Sequence, residues 1–165
     1  MSYLEAILRL LKDHDIEFIV VGGVAATMHG SARFTQDVDV LYSRSSENLA
    51  RLEKCFAGHA PYLRGAPPGL PFRWDAETIR RGLNFTLTTD LGPVDLLGEI
   101  SGGGDYNALR PESEERTIFG LKLRCLSLDR LILTKRAAGR PKDLEAVAEL
   151  EALREEARKQ KDKSS

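Results

Sequence analysis

Hydrophobic positions along the chain fall into blocks whose period switches between helical and extended. From Ser2 to His14 they recur at Leu4, Ile7, Leu8, Leu10 and Leu11, the spacing of a helix with one apolar face. Ser2 is placed to cap it, with Glu5 three residues on. Glu17–Val21 (EFIVV) is apolar at consecutive positions, which predicts a strand covered on both faces. Gly22-Gly23 then lead into Val24–His29, a short helix closed by Gly30. Gln36–Tyr42 (QDVDVLY) predicts a second strand, with Asp37, Asp39 and Leu41 on one face and Val38, Val40 and Tyr42 on the other. Ser43–Phe56 reads as a helix capped by Ser45 or Ser46, with Leu49, Leu52, Cys55 and Phe56 as its stripe.

The pattern breaks from Ala57 to Pro71, where prolines and glycines exclude a helix or a central strand. Arg64, Arg73, Arg80 and Arg81 lie in and after this stretch, interleaved with Tyr62, Phe72 and Trp74. Such a mixture suits contact with a base or a phosphate chain, and suits a solvated surface loop equally well. Leu83–Thr89 alternates as a strand, Asp90–Pro93 forms a turn, and Val94–Leu97 starts the returning strand. Thr117–Leu126 gives two short strands around Gly120. Ser127 caps a helix over Leu128–Ala138, with Leu128, Leu131, Ile132 and Ala138 inward and Lys135 and Arg136 outward. After Gly139-Arg140, Pro141 begins a last helix with Leu144, Val147, Ala148, Leu150 and Leu153 as its apolar side. These blocks predict a single domain over residues 1–155 and a charged, fraying tail over 156–165.

Composition narrows the classes. At 165 residues, 42% hydrophobic and 30% charged, the chain is of ordinary globular make-up and long enough to fold without a disulfide. A net charge of -1 argues against a strongly electrostatic nucleic-acid binder but not against a local basic patch. Cys55 and Cys125 lie in no CxxC pattern and read as reduced fillers. No apolar run is long enough for a membrane span and no signal-peptide core is present, so a cytoplasmic protein is expected.

Candidate chemistry concentrates between Gly22 and Asp39. A buried strand that turns through two glycines into a helix leaves free N–H groups aimed at one spot, suited to phosphate; an unliganded tight turn gives the same string. Asp is depleted in strands, so Asp37 and Asp39 two residues apart are unusual. Their Cα atoms would lie about 7 Å apart, close enough for the carboxylates to share one or two hard cations. A solvated edge strand is the plainer alternative, opposed by the apolar Val38, Val40 and Leu41 around them. Asp95 is a third acid on a strand, equally readable as a turn residue or the partner of an arginine; Glu99 and Asp105 sit in loop surroundings.

The string GGVAATMHGSARFTQDVD, with KRAAGRPKD at Lys135–Asp143, resembles the polymerase-β-type nucleotidyltransferase superfamily. Within it, His29-Gly30, Arg33, Thr35 and the acidic pair are most similar to small bacterial proteins related to the AbiEii toxins of toxin–antitoxin systems. The resemblance implies an α+β fold, a mixed sheet with helices packed mainly on one face. It implies an enzyme that moves NMP from an NTP (ATP among the candidates) to a hydroxyl of an RNA end, a protein or a small molecule. It implies Mg²⁺ or Mn²⁺ on Asp37 and Asp39, with Asp95 holding a second ion and serving as base. Gly22, Gly23, Arg33, Thr35, Lys135 and Lys142 are the implied nucleotide-binding set, Gly23 by letting backbone approach phosphate. An ion pair is an equal reading for Lys142, and a helix-end role is favoured for His29. An antitoxin protein and a second copy of the chain are candidate partners. The larger helical substrate domain of longer members is missing and residues 57–74 match no part of the pattern. A nucleotide- or partner-binding module without turnover is therefore the alternative.

Overall fold

A seven-stranded mixed sheet organises the chain, in the order β3-β4-β5-β2-β1-β7-β6. The computed structural model describes residues 2–33, 35 and 37–163. In chain order these form α1 (Tyr3–Asp13), β1 (Phe18–Val21), α2 (Gly22–Met28), β2 (Val38–Tyr42), α3 (Ser46–Ala57), β3 (Tyr62–Leu63), α4 (Ala76–Arg81), β4 (Phe85–Thr89), β5 (Gly92–Leu97), α5 (Tyr106–Leu109), β6 (Ser113–Ile118), β7 (Leu121–Leu126), α6 (Leu128–Ala138) and α7 (Pro141–Lys163). Helix starts follow their caps: Ser2, Ser45, Asp75 and Ser127 each accept an N–H of the first turn on their side chain.

The site is set by two pairings at the middle of the sheet. β1 runs antiparallel to β2, and β2 runs parallel to β5 with Asp39 opposite Asp95. All four residues of β1 are buried, as are Val38, Val40, Leu41 and Tyr42 of β2, so these strands are covered on both faces. Farther out, β4 alternates, with Phe85 and Leu87 buried and Thr86 and Thr88 exposed, so there the helices cover one face only.

Several details depart from the sequence reading. β2 begins at Val38; Asp37 precedes it and is exposed, so the two aspartates do not share a strand, and Gln36 lies outside the described residues. α2 starts at Gly22, not Val24, and His29 rather than Gly30 is its C-cap. The short helices α4 and α5 have too few apolar positions to register as a period, yet Ile79, Tyr106 and Leu109 anchor them in the core. The buried side of α7 carries Asp143, Ala146, Val147 and Leu150, whereas Leu144 and Ala148 face out. An aspartate on the inner face had shifted the apparent stripe by one residue. Ala138 is likewise exposed and Lys135 turned inward. α7 continues to Lys163 where fraying was expected, since no Gly or Pro interrupts its helix formers after Pro141; Ser164 and Ser165 lie outside the described residues.

The aromatics of the 57–74 stretch do not form a base-stacking platform. Trp74 meets Phe56 and Phe85 edge to face at 6.2 and 5.7 Å and donates its indole N–H to Leu52 O at 3.0 Å. Tyr62 and Phe72 extend the cluster. It fixes the irregular segment to α3 and β4. Trp74→Phe keeps most of the ring contact and leaves the Leu52 carbonyl short of a donor. We expect it to lower stability by about 1–2 kcal/mol in urea unfolding, with no loss of nucleotide affinity.

Candidate active site

Asp39 occupies the centre of the candidate site because β1, α2 and β2 bring backbone and carboxylate together there. Gly22, at φ +67, lies so close that an added Cβ would stand 2.2 Å from Asp39 Oδ2. A Cβ at Gly23 would meet Thr35 Oγ1 at 2.5 Å. The two glycines therefore make room for Asp39 and Thr35 in this structure, a packing demand that the sequence reading had assigned to phosphate. Thr35 Oγ1 lies 3.4 Å from Asp37 O, at the long limit of a hydrogen bond.

Two clefts of about 260 and 230 Å³ meet at Asp39, and Lys135, Arg140 and Asp143 border both. The first continues over Gly22, Asn84, Glu99 and Ser101. The second continues over Gly23, Arg33, Thr35, Asp37 and Lys142. Of the residues singled out in the sequence, Gly22, Gly23, Arg33, Thr35, Asp37, Asp39, Lys135 and Lys142 thus line the connected clefts. Asp95 adjoins them as the cross-strand neighbour of Asp39.

Electrostatics at the centre are unbalanced. Asp39 Oδ1 is buried and accepts no hydrogen bond. Burial pushes the Asp39 carboxyl up; its hydrogen bond to Asp95 and the charges of Asp95 and Asp37 add to the rise and Lys135 opposes it, for a value of about 7. Asp95 has a cationic neighbour of its own, Arg64, with Nη2 3.0 Å from Oδ1. Among the described residues, no three His, Cys, Asp or Glu side chains are grouped closely enough to form a ready-made metal site. Asp39 still suits a hard cation: its donors are carboxylate oxygens and one of them is buried without a partner.

Asp143 closes the Lys135–Asp143 segment of the family resemblance, but sequence reasoning assigned it no role in the site. It is 1% exposed. Its carboxylate accepts from Arg140 Nε at 2.6 Å and Nη2 at 3.2 Å, and lies 3.7 Å from Lys135 Nζ. Hydrogen bonds from Arg140 hold its carboxyl below the usual range, with burial opposing and Lys135 assisting. One buried acid thus fixes two cations on the border of both clefts; the signal was a charged residue in helical phase with Ala146, Val147 and Leu150. Asp143→Asn should lower stability by about 1–2 kcal/mol at neutral pH, a modest figure because Arg140 is largely exposed. A carboxyl depressed on folding stabilises above its ordinary value and loses that contribution as pH falls through the folded one. The gap between wild type and Asp143→Asn in urea unfolding should therefore close below about pH 4.

Other candidates have structural occupations. Arg33 faces Glu145 and Glu149 at 3.9 and 3.8 Å; Arg33 and Glu145 are exposed and Glu149 is half-buried. His29 caps α2, its buried ring bonded through Nε2 to Leu126 O at 2.8 Å, which is the helix-end role expected. Arg80 and Arg81 both pair with Glu77, away from any phosphate-binding role. Burial pushes the thiols of Cys55 and Cys125 up to about 12, leaving them protonated and inert.

Over residues 6–144 the sequence matches the model of the family described as nucleotidyl transferase AbiEii toxin, Type IV TA system. The chain belongs to that family. By family it is therefore a nucleotidyltransferase of the polymerase-β type, from a group of toxin–antitoxin components. Its fold is also that of the lincomycin-bound lincosamide antibiotic adenylyltransferase LnuA, at 15% identity and TM-score 0.57, over 92% of this chain and 96% of that one. It is shared with the antibiotic-resistance factor ANT(2'')-Ia, at 17% identity and TM-score 0.56, over 96% and 90%. A Thermotoga maritima protein described as a nucleotidyltransferase aligns at 18% identity and TM-score 0.50, over 94% and 91%. No curated protein sequence gives a significant match. Among the described residues, no helix of this AbiEii-family chain is long and apolar enough to cross a membrane.

Proposed function

We propose that this chain transfers NMP from an NTP to a hydroxyl acceptor in a reaction that depends on a divalent cation. The observation that carries the reading is the placement of Asp39, with a buried and unpartnered carboxylate oxygen, at the junction of two clefts bordered by Lys135 and Arg140. The cleft with Arg33, Thr35 and Lys142 suits the triphosphate, whose charge Arg33 and Lys142 offset. The cleft with Asn84, Glu99 and Ser101 is left for the acceptor. Asp39 and Asp37 would hold the cation, which neutralises phosphate oxygens and stabilises charge on the leaving group.

In the reaction the acceptor oxygen forms a bond to the α-phosphorus while the bond from that phosphorus to the bridging oxygen breaks, releasing pyrophosphate. The hydroxyl proton passes to Asp95, the carboxylate beside Asp39. Lys135, held by Asp143, stays on the phosphates during the displacement. The acceptor is an RNA end, a protein hydroxyl or a small molecule, and an antitoxin protein is the expected regulatory partner.

Incubating the purified chain with α-labelled NTPs, Mg²⁺ and cell extract tests this. Label should appear on an acceptor, and chelation should abolish it. Saturable NTP binding with no labelled acceptor in any extract would instead favour a binding module, a reading supported by the Arg64 pairing of Asp95.

A further inference from the structure

We propose that Arg64 takes the place of a second divalent cation, so that the site holds one cation, on Asp39 and Asp37, with Asp95 kept as a guanidinium-paired carboxylate. The inference rests on the nucleotidyltransferase reading above.

Arg64 is built into the sheet. Its backbone N–H donates to Thr86 O at 2.9 Å, directly after the β3–β4 pairing of Leu63 with Leu87. Its Nη2 donates to Leu87 O at 2.8 Å and lies 3.0 Å from Asp95 Oδ1. Asp95 stands opposite Thr86 in the β4–β5 hairpin, so the same hairpin positions both members of the pair. Their side chains are 30% and 24% exposed, and Arg64 Nε is buried without a hydrogen-bond partner. A guanidinium anchored in this way is always charged and does not swing away easily.

Charge and distance then decide the stoichiometry. A cation bound to Asp95 Oδ1 at about 2.1 Å would lie within about 5 Å of Nη2, where two like charges face each other with little water between them. Asp39 carries no such burden: no arginine or lysine forms an ion pair with it among the described residues, although its Oδ1, like Asp95 Oδ1, is buried without a hydrogen-bond partner.

The test is to count Mn²⁺ bound to the full chain by electron paramagnetic resonance, alone and with the α,β-methylene analogues of ATP and GTP. Wild type should saturate at one Mn²⁺ per chain, and Asp95→Asn should leave that count at one. Arg64→Gln, once circular dichroism shows it folded, should admit a second ion. Arg64→Lys, which retains the charge, should stay at one, and the Arg64→Gln/Asp95→Asn double variant should return to one. Two ions in wild type, or one in folded Arg64→Gln, would overturn the proposal while leaving the nucleotidyltransferase reading standing. No bound Mn²⁺ in wild type would remove both.

Discussion

Asp39→Asn should abolish nucleotidyl transfer, by at least about 10²–10³-fold, and at the same time make the metal-free protein more stable. The two effects have one origin. Asp39 is buried beside Asp95 with an oxygen that accepts no hydrogen bond, so its ionised form is disfavoured and its carboxyl rises from 3.8 to about 7. A raised carboxyl binds a proton in the folded chain at pH values where the unfolded chain has released it. The folded state is therefore unpenalised below about pH 4 and loses stability as pH rises toward 7. The penalty grows as pH rises through this range and is complete above about pH 7. Asparagine keeps the shape and removes the charge. In urea unfolding with chelator present, the variant should match wild type at pH 4 and exceed it at pH 8. Mg²⁺ with NTP should restore wild-type stability and leave the variant unaffected. A variant that unfolds at every pH would show Asp39 to be structural.

Gly22→Ala should be the most damaging single-methyl change. Its backbone sits at φ +67, where an L side chain is strained by about 1–2 kcal/mol. The new Cβ would also lie 2.2 Å from Asp39 Oδ2, so the carboxylate has to move. A displacement of about 1 Å at a reacting group lowers turnover by about 10²-fold. We expect both a stability loss of about 1–3 kcal/mol and near-complete loss of transfer, measured by urea unfolding and labelled-NTP assay. Gly58→Ala is the matched control, since nothing lies within 4 Å of a Cβ there. It should change stability by no more than about 0.5 kcal/mol and leave transfer intact.

The fold was legible wherever one periodic signal ran long enough. The apolar face of α1, the unbroken β1 and the caps of α3 and α6 each report on a local preference that tertiary packing reinforces. The site was legible to the extent that it is compressed into one stretch, Gly22 to Asp39. Its remaining parts depend on contacts that no local pattern encodes. Arg64 looked like one more arginine of a proline-rich loop, because its partner Asp95 is 31 residues away and meets it only once β3 pairs with β4. Asp143 looked like the end of a basic segment, because its burial is set by Lys135 and Arg140 from the preceding helix and turn. In both cases a buried charge is tolerable only with its partner, and the partner is chosen by the sheet and not by spacing along the chain.

The order in which these charges enter the chain has a consequence for synthesis. A ribosome delivers Asp39 and Asp95 well before Lys135, Arg140 and Asp143, and the β1–β7 pairing closes only after Leu126 has emerged. A nascent chain carrying the sheet centre alone holds the carboxylates without the cations that border both clefts. Closure of both clefts therefore waits for α7 to dock through Val147 and Leu150, a late long-range step of folding. The two clefts of this chain are in that way completed only when nearly all of its family-matched segment has been made.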